Sequence, residues 1–138
     1  MRYLAKRVER ICDELYRLRI VQRIPLTDLI CKKGTYIRPE AADAATPPWT
    51  SFDSRTMHWY GPDEHYWFRT EFTVPKALNG KAMWLNVRTQ IEGDDGKNPQ
   101  FLLFVNNVPV QGMDMNHRDV LLSPKAISGE KLVFDLQA

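Results

Sequence analysis

The segment HYWFRTEFTV, residues 65–74, decides the fold class of this 138-residue chain. Its apolar and polar side chains alternate, with Phe68, Phe72 and Val74 on one side of the chain and Arg69, Glu71 and Thr73 on the other. Alternation with a period of two is typical of a strand that has one face in a core and one face in water. The segment therefore predicts a half-buried β-strand.

Downstream segments of similar character predict further strands. They are AMWLNVRT (82–89), FLLFVNNVPV (101–110), DVLL (119–122) and KLVFDLQ (131–137). The second is interpreted as two strands around Asn106 and Asn107, because asparagine tolerates the positive φ of a tight hairpin turn. Several strands separated by turns, with only one long helix, predict a mainly β fold: an antiparallel β-sandwich with one N-terminal α-helix.

The N-terminal segment MRYLAKRVERICDELYRLRI, residues 1–20, has apolar residues three or four positions apart: Leu4, Val8, Ile11, Cys12, Leu15 and Leu18. This spacing predicts an amphipathic helix from about residue 2 to about residue 21, before Pro25. We expect the apolar stripe to be buried on the sandwich or on a partner. The basic residues of the helix indicate either a solvated face or a contact with a phosphate or another partner.

The chain divides into three segments within one domain. Residues 1–23 form the helix, residues 24–58 are predicted to be an irregular connector and loop, and residues 59–138 form the sandwich core. The stretch RPEAADAATPP (38–48) lacks periodicity and predicts an exposed loop. No apolar run approaches the ~18 residues of a membrane span. Two cysteines and the absence of a secretory signal predict reduced thiols in a cytoplasmic protein.

The triplet His117-Arg118-Asp119 raises the possibility of a kinase catalytic loop. A kinase requires an Asn five positions after the Asp to hold a metal ion, and a glycine-rich loop over the phosphates. Pro124 occupies the position of that Asn, and no G-x-G pair occurs in the chain. The sequence therefore excludes a protein kinase.

A set of short motifs in a fixed order resembles the N-terminal accessory domain of the α-mannosidases of glycoside hydrolase family 38. The motifs are WYGPDEH (59–65), Trp67-Phe68-Arg69, Thr73-Val74-Pro75, Gly80, Asn98-Pro99-Gln100, Val105-Asn106, Gln111-Gly112 and NHRDVLL (116–122). The resemblance covers nearly the whole chain and is weakest between residues 24 and 56. Asn107 and Tyr60 stand where the family often has glycine.

The resemblance implies a jelly-roll sandwich of the galactose-binding type within a larger, retaining α-mannosidase. In that family a separate catalytic domain binds a divalent metal, typically zinc, and removes α-linked mannose with a carboxylate nucleophile. The family's metal motif resembles H-x-D-x-A-W. Here Leu121 and Leu122 replace its Ala and Trp, so neither a metal site nor a cofactor is expected in this chain. The partners to expect are the catalytic domain of the same polypeptide, further copies of the enzyme in a homo-oligomer, and carbohydrate, with no nucleic acid and no membrane.

Catalytic residues are not expected in the chain itself. A retaining glycosidase needs two carboxyl groups about 5 to 5.5 Å apart. The acidic pairs Asp63-Glu64 and Asp94-Asp95 are adjacent in sequence and are interpreted as solvated loop charges. The three histidines are scattered without the spacing of a metal site.

Two candidate sites remain, each with an ordinary structural alternative. The polar loop residues Asp114, Asn116, His117 and Arg118 form a candidate interdomain contact, or they brace their own loop. The aromatic residues Trp59, Tyr60 and Trp67 are weaker candidates for stacking on a sugar, or they fill the sandwich. Three functions stay open: an accessory module of an α-mannosidase, an independent carbohydrate-binding module, and a basic-helix interaction domain.

Overall fold

The structure is a computed structural model, which describes residues 2–61, 63–88 and 99–138. Within these ranges the chain forms two α-helices, α1 (Arg2–Leu18) and α2 (Pro39–Ala44), and a short 3-10 turn (Lys76–Leu78). Eight strands are β1 (Asp28–Lys33), β2 (Thr50–Asp53), β3 (Tyr66–Thr73), β4 (Met83–Asn86), β5 (Phe101–Val105), β6 (Val108–Met113), β7 (Asp119–Ser123) and β8 (Lys131–Gln137).

Six strands form one antiparallel sheet in the order β2-β1-β3-β8-β5-β6, and β4 pairs with β7 in a second sheet. The main hydrophobic cluster draws buried residues from both sheets: Phe68, Leu103, Met113, Leu132 and Phe134 from the first, and Met83 and Val120 from the second. The prediction of a mainly antiparallel β-sandwich with one long N-terminal helix is confirmed. The strands expected from residues 65 to 137 are all present.

The β5–β6 hairpin has the turn that the sequence predicts. Asn106 and Asn107 have φ values of 50° and 67°, in the left-handed region that asparagine enters more readily than most residues. Asn106 also forms two hydrogen bonds with Val133 of β8. Its backbone N–H donates to the Val133 carbonyl at 2.9 Å. The Val133 N–H in turn donates to Asn106 Oδ1 at 2.9 Å. The hairpin turn is therefore tied to the neighbouring strand.

The prediction of an irregular connector over residues 24–58 is wrong, because this segment supplies β1, β2 and α2. Strand β1 lies between β2 and β3, so the sandwich begins at Asp28 and not at residue 59. Helix α2 lies in the stretch that was expected to be a loop, and Pro39 stands in its first turn, where a missing N–H does no harm. Strand β1 has no clear alternation because Lys32, a charged residue, is buried.

Helix α2 covers part of the sheet face that points away from the main core. Ala42 of α2 packs with Trp67 of β3 and Phe104 of β5 in a second hydrophobic cluster. The neighbouring residues Trp67 and Phe68 are consequently both buried, although their side chains point to opposite faces. The half-buried character expected for β3 holds at its other end, where Glu71 and Thr73 are exposed.

Helix α1 is present as predicted, and it ends at Leu18, about three residues earlier than expected. Every residue from Tyr3 to Leu18 is exposed. The expectation that the apolar stripe is buried on the sandwich is therefore wrong, and burial on a partner stays a prediction. None of the helices in the described ranges carries an apolar stretch of the length needed to cross a bilayer.

Candidate functional site

The loop between β6 and β7 contains all four residues of the predicted interdomain contact. Asp114 Oδ1 accepts hydrogen bonds from the backbone N–H groups of Asn116 at 2.7 Å and His117 at 2.8 Å. It also lies 3.0 Å from Nδ1 of the His117 ring. The backbone N–H groups of His117 and Asn116 hold the pKa of the Asp114 carboxyl below its usual value, because they stabilise the charged form. Asp114 therefore shapes the loop.

The other three residues differ in exposure. Arg118 is half-buried, and its Nε donates to the main-chain carbonyl of Met115 within the loop. Asn116 and His117 are exposed, and 70% of the His117 side chain is accessible to solvent. The loop thus braces itself through Asp114 and Arg118 while it presents an amide and an imidazole outward. A contact with another domain stays a prediction for these residues.

The structure does not bring together the three aromatic candidates for sugar stacking. Trp59 is partly buried and packs against the main core, with its ring centroid 5.6 Å from that of Tyr66 and 5.7 Å from that of Phe68. Trp67 is fully buried in the second cluster, 5.5 Å from the ring of Phe104. Tyr60 is 84% exposed, so it is the member of the three with a ring open to solvent. Trp67 is a core residue in this fold, because α2 covers it.

A charged cluster that the sequence did not reveal joins the six-stranded sheet to α2. Arg69 of β3 donates through Nε to Asp135 of β8 and through Nη1 to Asp43 of α2, each at 2.6 Å. Trp49 Nε1 donates to the same Asp43 oxygen at 3.0 Å, and the Arg69 guanidinium lies 4.8 Å from the centre of the Trp49 ring. Arg69 therefore connects two strands, one helix and one loop.

Burial dominates the electrostatics of this cluster. Asp135 is fully buried, and burial raises the pKa of its carboxyl above the usual value, although Arg69 opposes the rise. Burial alone would lower the pKa of Arg69, but its hydrogen bonds to Asp135 and Asp43 outweigh that effect and the pKa is raised. Removal of one partner from a charge pair of this kind strongly destabilises the fold, because the other charge is left buried and unpaired.

A buried lysine also holds the same helix. Lys32 of β1 is 2% exposed, and its Nζ donates to the carbonyls of Ala42 and Ala45 at the C-terminal end of α2. The helix dipole places negative partial charge at those carbonyls, which suits a cation. Nζ also lies 5.3 Å from the centre of the Tyr36 ring and 5.9 Å from that of Trp49. Lys32 and Arg69 together fix α2 on the sheet.

A shallow depression of about 330 Å³ lies beside this cluster. Its lining includes Asp43, Arg69, Glu71, Asn106 and Asn107. These side chains carry carboxylate, guanidinium and amide groups, which are able to hydrogen-bond the hydroxyl groups of a sugar. The depression is therefore an open polar surface that offers hydrogen-bonding groups to a polyhydroxylated ligand.

Of the two acidic pairs considered from the sequence, the structure describes Asp63 and Glu64, which lie at the surface of a loop. Glu64 forms an ion pair with Lys33, and Asp63 is an exposed residue with a φ of 52°. Asp94 and Asp95 lie outside the described residues, as does Asn98 of the family-like motif. Within the described ranges no group of three or more His, Cys, Asp and Glu side chains is arranged to hold a metal ion.

The sequence contained weak signals for the charged cluster. Asp135 interrupts the apolar run KLVFDLQ, and Lys32 closes the apolar stretch of β1. A charged residue within such a run indicates a buried charge, and a buried charge needs a partner that pairs or hydrogen-bonds with it. The partner of Asp135 is 66 positions away in sequence, so no local pattern identifies it.

Comparison of the chain with models of protein families, with curated proteins and with solved structures found no match.

Proposed function

We propose that this chain is a non-catalytic N-terminal domain of a cytoplasmic α-mannosidase similar to glycoside hydrolase family 38. Its role is to pack against another domain or to assemble the oligomer, and the zinc-dependent removal of mannose belongs to a separate catalytic domain of the longer polypeptide. The observation that carries the proposal is the exposed apolar stripe of α1, taken from here on as its large aliphatic residues without the smaller Cys12: Leu4, Val8, Ile11, Leu15 and Leu18. Between 49% and 73% of each of these residues is open to solvent.

The exposed stripe supports an interaction role on energetic grounds. An isolated helix of this length is marginal in water, because most helix stability in proteins comes from packing of the apolar face. Each large apolar side chain that becomes fully buried stabilises by about 1.5 to 3 kcal/mol. A helix with its apolar residues aligned on one side therefore gains most of its stability from a second surface.

Ion pairs and hydrogen bonds formed by four of the carboxylates support a non-catalytic role. Asp43 and Asp135 pair with Arg69, and Glu64 pairs with Lys33. Asp114 accepts two backbone hydrogen bonds. Carboxylates in such positions stabilise the fold, whereas a glycosidase needs a facing pair on either side of a bound sugar.

Two measurements test the proposal. The purified 138-residue chain is assayed with an aryl α-mannoside, with and without zinc, and we expect no turnover. The longer polypeptide is then compared with its Ile11→Asp variant and with Asp13→Ala, a control on the polar side of α1. We expect Ile11→Asp to lower the stability or assembly of the longer enzyme and Asp13→Ala to change neither. Chelator-sensitive turnover by the chain alone contradicts the proposal.

A second candidate function rests on the depression beside Arg69. An independent carbohydrate-binding module would place a sugar there, with Glu71 and Asn107 as hydrogen-bonding groups. Titration calorimetry of the chain with mannose and short α-mannosides distinguishes the two functions. Saturable binding that Glu71→Ala removes, while the melting temperature is unchanged, favours the carbohydrate-binding module.

A further inference from the structure

The apolar stripe of α1 follows the spacing of a two-helix interface. Its five residues are separated by four, three, four and three positions. This alternation averages 3.5 residues and matches the a and d positions of a heptad, with Val8 and Leu15 at a and Leu4, Ile11 and Leu18 at d. Restriction of the large apolar residues to a and d positions gives a narrow seam, whereas a helix that packs on a domain core usually has a wider apolar face. The spacing therefore favours another helix as the occupant of the stripe.

The charged residues that flank the stripe are complementary to a copy of the same helix. Arg7 and Glu14 lie on one flank, one heptad apart, at g positions. Ala5 and Cys12 lie on the other flank of α1, at e positions, and carry no charge, while the next e position, Arg19, lies just beyond the end of the helix. When two such helices run antiparallel, the g flanks face each other and the e flanks face each other. Arg7 of each copy then lies beside Glu14 of the other, and the uncharged residues are paired on the opposite side.

We propose that two copies of the chain associate through antiparallel α1 helices, stripe against stripe, with two symmetric Arg7–Glu14 pairs between them. The inference rests on the proposed function, which makes α1 an interaction element, and it adds the identity of the partner. The contact is isologous, because each copy contributes the same surface and the twofold axis closes the assembly at two.

The proposed interface is small. It consists of five apolar side chains from each copy, so it is at the low end of the areas that stable protein complexes bury. The self-association is therefore reversible and depends on concentration. Salt weakens it, because the Arg7–Glu14 pairs lie at the rim of the contact.

Sedimentation equilibrium of the full 138-residue chain over a wide concentration range tests the proposal. Arg7→Glu and Glu14→Arg are each expected to raise the dimer dissociation constant about tenfold, because each places like charges opposite one another in both symmetric pairs. The double variant Arg7→Glu/Glu14→Arg restores both pairs and is expected to return the constant to that of the unmodified chain. Asp13→Arg makes the same acid-to-base change on the opposite side of α1 and serves as the matched control. Far-ultraviolet circular dichroism and tryptophan fluorescence confirm that each variant keeps the sandwich.

Each outcome supports or overturns the inference. Dimerisation that the single reversals weaken and the double reversal restores supports it. A chain that stays monomeric at every concentration overturns it, as does a double variant that is as weak as the singles. Flotation of a monomeric chain with phosphatidylcholine–phosphatidylserine vesicles also overturns it and assigns the stripe to lipid. If the chain is monomeric while Ile11→Asp still destabilises the longer enzyme, the second copy is rejected and the proposed function stands.

Discussion

Arg69 and Asp135 face each other across neighbouring strands of the main sheet, and Arg69 Nε donates to the buried carboxylate at 2.6 Å. The same guanidinium reaches Asp43 on α2 with a second hydrogen bond of equal length. One side chain therefore fixes the position of a helix on the sheet and neutralises a carboxylate that has no contact with water. The integrity of this side of the sandwich depends on Arg69.

Arg69→Ala is expected to lower the free energy of unfolding by about 3 to 5 kcal/mol at neutral pH, because it leaves Asp135 charged and unpaired in the interior. Urea denaturation followed by tryptophan fluorescence measures the loss. Arg55→Ala is the matched control. Arg55 pairs with Asp53 at the surface, with 62% of its side chain exposed, and such solvent-screened pairs contribute little to stability. Equal losses in the two variants contradict the prediction.

The loss in Arg69→Ala is also expected to depend on pH. Burial already raises the pKa of Asp135 in the folded chain, and removal of Arg69 raises it further. A group whose folded pKa lies above its unfolded value contributes stability below the unfolded pKa and loses that contribution as the pH rises through the folded pKa. The difference between the two proteins should therefore shrink as the pH falls through the raised pKa. A difference that is constant from neutral pH to pH values near the ordinary pKa of aspartate argues against this origin.

Lys32→Met tests the second attachment of α2. Methionine has a similar length but cannot donate to the carbonyls of Ala42 and Ala45, and an unsatisfied buried acceptor costs about 1 to 3 kcal/mol. We expect a comparable loss of stability and faster hydrogen exchange in α2 than in β5. Lys33→Met serves as the control, because the Lys33 side chain is 58% exposed. Unchanged exchange in α2 would show that Lys32 does not hold the helix.

Asp114→Ala and Asp114→Asn separate the roles of shape and charge in the loop after β6. Asparagine keeps an acceptor for the N–H groups of Asn116 and His117, so Asp114→Asn should preserve the loop, whereas Asp114→Ala should lower the melting temperature. In the unmodified chain the stability contributed by Asp114 is present above its ordinary pKa and is lost as the pH falls through the lowered folded pKa. Carboxyl carbon NMR titration of Asp114 should find that lowered pKa, and an ordinary value contradicts the prediction.

Arg118→Ala addresses the candidate interdomain contact at the same loop. Arg118 Nε donates to the Met115 carbonyl, so we expect a modest fall in the melting temperature of the 138-residue chain. We expect a larger loss of stability in the proposed longer enzyme, because the proposal pairs Arg118 there with a carboxylate of the adjoining domain. Thermal denaturation of both proteins, each with and without the substitution, makes the comparison. A large loss in the chain with none in the longer enzyme means that the loop braces only itself.

The hairpin turn offers a pair of substitutions with opposite expectations. Asn107→Gly is expected to stabilise by up to about 1 kcal/mol, because glycine adopts positive φ without a steric penalty. Asn106→Gly gains the same relief but loses the acceptor for the Val133 N–H, so it should gain less or lose stability. Equal effects of the two substitutions on the denaturation midpoint would contradict this assignment of roles.

Strong local periodicity made α1, the β5–β6 hairpin and β3 predictable from sequence. Each of these elements has a regular apolar pattern or a turn pair such as Asn106 and Asn107, so the information lies within a few residues. The class of the fold follows from them, whereas β1 and β2 of the main sheet do not.

Contacts between distant residues account for what the sequence did not predict. Strand β1 was missed because Lys32 is buried, and its acceptors come from a helix ten residues or more away. Arg69 was assigned to a solvent-facing side because the covering helix α2 was itself missed. Trp67 was a candidate for sugar stacking for the same reason, since nothing local shows that Ala42 packs over that face.

Hydrogen–deuterium exchange of α1 tests most directly the claim that this chain is an interaction domain whose helix is stabilised by a second surface. The amides of α1 are compared between the 138-residue chain at high dilution and the longer enzyme, with β8 as an internal reference for the folded sandwich. We predict that α1 exchanges rapidly in the dilute chain, because its stripe is open to water, and is strongly protected in the longer enzyme. Rapid exchange of α1 in both proteins, with β8 protected in both, would contradict the claim.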